Sequence, residues 1–240
     1  MKYGLVLLLL GIVLAAQALV YHGAAWLLLW PAVSFLVVAV AYLGLGPSVF
    51  GKRARGRLAW HSTILLLPYH LFSWAIWHFL RLTSREDCCN EVMPGLIVGR
   101  RPLAHELPDH VSLVIDLTAE FNEPAAVCAG REYIAAPVLD GGMPSEALFL
   151  QTTEAALKSP GVVYLHCAQG HGRTGIIAAA VMIASGHSAN VEEAIRALCS
   201  ARPKLNLAGN QMRFLKNVCQ RERFLQLCGC EREAGQSERV

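Results

Sequence analysis

Apolar positions fall into two regimes along this chain. Up to Leu82 they run on almost without polar interruption, and beyond Thr83 they recur at strand and helix periods. Gly4–Tyr21 and Ala24–Gly46 carry no charge, and each approaches or exceeds the ~20 apolar residues a helix needs to cross a bilayer. A third run, Ser62–Leu80, is interrupted by Pro68, His70 and His78. The pattern predicts helices over about 4–21, 24–46 and 62–80, the first two spanning and the third spanning or lying in the interface. Trp26, Trp30, Trp60, Trp74 and Trp77 suit interfacial anchoring. A signal peptide ending at Ala15–Ala18 ("AAQA") is the competing reading. The full-length apolar run that follows almost at once argues for a hairpin of spans instead.

After Thr83 short apolar runs alternate with amphipathic ones. Gly95–Arg100, Val111–Thr118, Arg131–Val138 and Gly161–Cys167 read as strands. Ser145–Ser159, Thr174–Gly186, Asn190–Pro203 and Gln211–Leu227 read as helices, with Ser145 and Asn190 as N-caps and Glu193 completing a capping box. Strands separated by helices predict an α/β fold, a central mostly parallel sheet flanked by helices. The expected organisation is a membrane region over 1–82, a catalytic domain over 83–227 and a frayed, charged tail over 228–240.

Charge sharpens the division. Residues 1–82 hold Lys2, Lys52, Arg53, Arg55, Arg57 and Arg81 and no acid, whereas all 18 acids lie beyond Leu82. The basic residues are few and flanked by apolar runs, so nucleic acid is not an expected partner. The Gly51–Arg57 loop should stay in the cytoplasm by the positive-inside rule. The catalytic domain then faces the cytoplasm if the third run does not span. Eight cysteines at irregular spacing, with no CxxC, do not form a disulfide framework or a zinc signature. Cys88-Cys89 and Cys228/Cys230 suit free thiols or acylation sites, and free thiols suit a reducing compartment.

The chemistry centres on Val162–Ala180, "VVYLHCAQGHGRTGIIAAA". Cys167 ends a predicted buried strand just ahead of a helix. In open α/β sheets ligands bind beyond the carboxyl ends of strands, and a helix N-terminus holds anions. Gly170, Gly172 and Gly175 let the backbone of Ala168–Gly172 turn its amides inward as a nest. Arg173 adds a planar fork of donors matched to phosphate oxygens. Such surroundings favour a thiolate, placing a nucleophile beneath a bound phosphate. Thr174 would donate its hydroxyl to the sulfur and help it leave. His166 would position the loop through hydrogen bonds, its strand pointing it away from the pocket. His171 reads as a solvated loop histidine, with a charged imidazole beside phosphate as the alternative. The leaving oxygen needs a proton, and Asp140 in "PVLDGGMPS" sits on a suitable loop. Asp116, inside a strand, and Glu120, just past it, are weaker competitors.

His166–Gly175, "HCAQGHGRTG", resembles the phosphate-binding loop of cysteine-dependent protein tyrosine phosphatases, especially the compact dual-specificity group. The likeness runs over roughly 90–221 and takes in "GLIVGRRP", "VIDLTAE", "APVLDGGMP" and "ARPKLNLAGNQMRFL". The resemblance implies Cys167 as nucleophile, Arg173 as phosphate clamp, Asp140 as acid and then base, and Thr174 as helper in the second step. The loop Ala168, Gln169, Gly170, His171, Gly172 and Arg173 would bind phosphate, and Gln211 would place the hydrolytic water. It implies a cysteinyl-phosphate intermediate and neither metal nor cofactor. Members that handle inositol lipids often carry Lys in this loop, where this chain has His171.

The expected activity is a membrane-anchored phosphatase acting on phosphotyrosine, with phosphoserine and phosphothreonine, in proteins. The alternative substrate is a phosphorylated lipid head group at the membrane. A non-catalytic phosphate-binding scaffold, and a rhodanese or arsenate reductase, are the readings of other classes. Neither gives Asp140 and Gln211 a role.

Overall fold

The computed structural model describes residues 2–237. Contacts divide the chain into two units, one of residues 1–84 with 119–123, the other of residues 85–118 with 124–240.

In the first unit, α1 (Lys2–Tyr21) and α2 (Leu29–Val40) pack as a hairpin, followed by α3 (Trp60–Leu65) and α4 (Leu67–Thr83). Small residues let α1 and α2 approach closely. A Cβ on Gly11 would lie 2.7 Å from Leu36 Cγ. Beyond Val40 the helix loosens into a π-turn and then a 3₁₀ turn, with Gly44 at φ 159°. Among the described residues two helical stretches are long and apolar enough to cross a membrane, Lys2–Tyr21 and Gly23–Phe50, the second kinked at Gly44. The third apolar run does not form the single helix expected over 62–80. Leu66 leaves helical geometry at φ −96°, ψ 10°, as the residue two before a proline whose ring and missing N–H suit a helix start. Residues 119–123 are seated in this unit: Lys52 Nζ donates to Phe121 O (2.9 Å), Leu58 N to Asn122 Oδ1 (2.7 Å) and Glu123 N to Gly56 O (2.9 Å).

The second unit is the α/β fold. Its strands are β1 (Cys89–Met93), β2 (Leu96–Arg100), β3 (Val111–Thr118), β4 (Glu132–Val138) and β5 (Val162–Cys167), in the order β1-β2-β5-β3-β4. Only the edge pair β1/β2 is antiparallel. β1 was not anticipated; its polar "CNEVM" is half-buried and lacks a strand's clean alternation. The central strand β5 pairs Leu96 with Val163 and Arg100 with Cys167 on one side, and Asp116 with His166 on the other.

The helices are α5 (Ala125–Cys128), α6 (Glu146–Lys158), α7 (Gly172–Ala184), α8 (Val191–Ala201), α9 (Gly209–Cys219) and α10 (Glu222–Ser237). Both foreseen caps form: Ser145 Oγ accepts from Leu148 N and Asn190 Oδ1 from Glu193 N. α7 begins at Gly172, two residues before the expected start. The single helix expected over 211–227 is two, parted at Gln220–Arg221, and the segment from Cys228 continues as helix to Ser237. α7 is buried along nearly its whole length against Leu165, Phe149, Leu198 and Leu215. Such a helix is apolar all round because it has no solvent face.

Candidate active site

β5 delivers Cys167 to the carboxyl edge of the sheet, and α7 starts five residues later. The intervening loop curls over the sulfur, with Gly170 N donating to Cys167 Sγ at 3.2 Å. Gly170 has φ 73°, a conformation other residues rarely adopt, and a Cβ there would collide with the Gly99–Arg100 backbone. Cys167 is 3 % exposed.

A buried arginine holds the loop from behind. Arg202 Nε donates to Gly170 O (3.0 Å) and Arg202 NH2 to Gln169 O (3.1 Å). With those carbonyls engaged by Arg202, the loop is fixed with the Gly170 amide on the sulfur. Arg202 also donates to Asp87 O (3.1 Å), Asn90 Oδ1 (2.8 Å) and Glu86 Oε2 (3.2 Å). Glu86 Oε2 lies 2.8 Å from His171 Nε2 as well. His171 is therefore braced by a carboxylate, which corrects the expectation of a solvated loop histidine. Glu86 and Arg202 were not assigned site roles from sequence. Arg202 had a signal in its pairing with Pro203, whereas nothing local marks Glu86.

Arg173, in the first turn of α7, is buried. Its NH1 donates to Val138 O (2.9 Å) and its NH2 to Asp140 Oδ1 (3.0 Å). The carboxylate of the candidate acid thus lies directly on the guanidinium of the candidate clamp. The Asp140 side chain is 56 % exposed, so this pair is wet on one side and separable. Gln211 ties the acid loop to α7. Its Nε2 donates to Gly142 O (2.9 Å), its Oε1 accepts from Ala208 N (3.1 Å), and a Cβ on Gly172 would lie 2.8 Å from that Oε1.

Thr174 is buried, and among the described residues its hydroxyl has no hydrogen-bond partner. The expected bond from Thr174 to the sulfur is absent. His166 faces into the sheet rather than the loop, its Nδ1 3.9 Å from Asp116 Oδ1. Asp116 is fully buried and accepts from Thr118 N, Thr118 Oγ1 and Tyr133 Oη, each at 2.7 Å, so it is a structural acceptor. Glu120 lies with the first unit, accepting from Ala119 N.

Two further groups border the loop. Arg100 is held by Glu106 through bonds of 2.9 and 2.6 Å; burial opposes its charge, but the carboxylate more than offsets this and raises its pKa. The Tyr164 hydroxyl donates to Arg100 O at 2.7 Å, and burial pushes its pKa well up.

Comparison with known proteins agrees with this geometry. Residues 102–187 match the family model described as "Polymorphic toxin system, DSP-PTPase phosphatase". No curated protein sequence matches the chain. Among solved structures the chain is similar to PTPMT1 (22% identity, 60% of this chain and 99% of that chain, TM-score 0.51). It is similar to PTPMT1 in complex with PI(5)P (23%, 60% and 98%, 0.51) and to Tk-PTP in the active form (23%, 56% and 97%, 0.50). The α/β unit shares the fold of these solved structures, and residues 102–187 within it resemble the DSP-PTPase family model.

Proposed function

We propose that this chain is a membrane-anchored phosphatase that hydrolyses phosphate monoesters, with phosphotyrosine in proteins as its leading substrate and phosphoserine and phosphothreonine beside it. The observation that carries the reading is the meeting of three groups around one loop: Cys167 beneath the Gly170 amide, Arg173 at the start of α7, and Asp140 on Arg173. A scaffold that only bound phosphate would need no acid there.

The chemistry follows from those positions. An incoming phosphate dianion takes over the donors of Arg173 and the loop amides, and Asp140, freed from the guanidinium, takes up a proton from solvent and turns toward the leaving oxygen. The Cys167 thiolate attacks phosphorus while the ester P–O bond breaks, and Asp140 gives its proton to the departing oxygen. Loop and guanidinium spread the charge of the transferring phosphoryl group. Water then attacks the phosphocysteine, Asp140 takes its proton, and the S–P bond breaks to regenerate the thiolate with free phosphate. Gln211, fixed to Gly142, borders the space for that water. Thr174, with its hydroxyl uncommitted, supplies a donor for the sulfur as it leaves.

A lipid head group is the second reading. It is favoured by the two span-length helices and by the likeness to PTPMT1 in complex with PI(5)P. The test is a substrate panel on the full chain in detergent, comparing phosphotyrosine peptides with phospholipid vesicles. Turnover of peptides supports the first reading, and turnover of vesicles alone replaces it with the second. Cys167→Ser should abolish turnover while retaining phosphate binding; surviving hydrolysis would overturn the mechanism.

A further inference from the structure

The turn that follows the second apolar segment presents a surface the phosphatase reading leaves unused. It closes on itself: Lys52 bridges Leu58 in antiparallel register, Arg53 N donates to Arg57 O (2.8 Å), and Gly56 N to Arg53 O (2.9 Å). Ala59 N donates to Gly51 O (2.9 Å). Gly56, at φ 74°, supplies the left-handed residue that closes a three-residue hairpin loop. The turn is thus a fixed platform rather than a loose tether.

Its cations are divided. Lys52 is used inward, on Phe121 O. Arg53, Arg55 and Arg57 are exposed, and among the described residues none of their guanidinium groups has a hydrogen-bond or ion-pair partner. No acid precedes Glu86 in the sequence, so the first unit's own N-terminal part cannot neutralise them. Arginines this close repel one another until an anion sits among them.

The surroundings say which anion. The stretch Gly23–Phe50, long and apolar enough to cross a membrane, ends just before the turn. Trp60, three residues after Arg57, is 70 % exposed, and the helix beyond it exposes Leu71, Phe72, Trp74, Ile76 and Phe79. A soluble acidic protein or nucleic acid on the arginines would leave those apolar side chains in water. A bilayer covers them and brings phosphate and carboxylate groups to the depth of the arginines.

We propose that the arginine turn, Arg53, Arg55 and Arg57, is a binding site for anionic lipid head groups at the membrane surface, with Trp60 seated in the interface beside it. The site rests on the reading of residues 1–83 as membrane-embedded and is independent of any phosphatase activity. Because Gly56, Lys52 and Leu58 hold Asn122 and its neighbours, a lipid-loaded turn would also stiffen the five residues that leave β3.

The test is lipid retention by the full chain in nonionic detergent, read by native mass spectrometry during titration with phosphatidylserine or phosphatidylcholine. Three arginines near a charged surface should favour phosphatidylserine on the order of a hundredfold. Raising KCl from about 50 mM to about 500 mM should erode that preference in the unaltered protein. R53Q/R55Q/R57Q should abolish it, and K2Q should not. Equal retention of the two lipids, a preference indifferent to salt, or a preference that survives the triple substitution would each overturn the proposal. The salt series needs no variant, so misfolding of the triple variant leaves the question decided. Failure of the membrane reading shows separately, as a chain that stays in solution without detergent.

Discussion

Arg173 spends its two terminal nitrogens on the acid loop, one on Val138 O and one on Asp140. Asp140 can serve as acid only when phosphate has displaced it from that contact. Asp140→Asn keeps the side-chain shape and removes the proton. It should lower kcat by about 10²–10³ on phenyl phosphate, whose leaving oxygen is basic, and much less on p-nitrophenyl phosphate. Steady-state kinetics on the two esters checks this; equal losses would remove Asp140 from the acid's role. A second residue-scale prediction concerns the adjacent thiols. The neighbouring Cys88 thiol draws the Cys89 pKa down to about 7, and coupling to Cys89, with burial, pushes Cys88 up. Burial pushes Cys219 up to about 12. Thiolates alkylate, so Cys89 should gain reactivity as pH rises through about 7, while Cys219 stays inert to iodoacetamide at pH 8. Peptide mapping after a short pulse at several pH values reads this out. At this scale the sequence was most legible where chemistry and local backbone coincide. Cys167, Gly170 and Arg173 lie in one loop, and their spacing is their geometry. Glu86 and Arg202 were opaque because 116 positions of chain separate two groups that are 3.2 Å apart. A separation of 85 positions from Glu86 likewise hid the real environment of His171.

At the scale of elements, the loop between β5 and α7 depends on a close passage of Gly170 over Gly99 and Arg100. Gly170→Ala would force the loop off that backbone and misplace the amides. Activity should fall at least about a hundredfold, because small displacements of a positioned group are costly in catalysis. Phosphate protection against alkylation of Cys167 should vanish with it, while far-UV circular dichroism stays unchanged. Strands β2 to β5 were readable because each is a short apolar run with turn residues at its ends. The break at Leu66 and the split between α9 and α10 were missed for the same reason. Apolar periodicity continues across both; Pro68 accounts for the first departure from the helix, and only packing shows the second. The antiparallel β1 escaped because an edge strand is satisfied by one partner and needs no apolar signature.

At the scale of the molecule, contacts divide the chain into two units near residue 84. The exception is Ala119–Glu123, a segment of the second part's sequence that folds with the first. Phe121 is buried there, 6.2 Å from the Trp77 ring. A chain lacking residues 1–84 should therefore lose protection at the Asn122–Glu123 amides, where Glu123 N now donates to Gly56 O. Hydrogen exchange compared between the full and shortened chains checks this, and unchanged exchange would show that the segment orders itself. No sequence pattern could have announced this exchange, since it depends on where a five-residue loop lands.

The bracing of Arg202 by Glu86, Asp87 and Asn90 sets how closely the α/β unit can be cut from the apolar segments before it. A protease clipping at Thr83 or Ser84 would free a fragment that still owns all three of those groups. One clipping five or six residues later would take away the carboxylate that Arg202 and His171 share. Release with and without that brace would then be separated by less than two turns' worth of chain, and the choice of cleavage bond alone would decide whether the freed piece keeps Glu86 on Arg202 and His171.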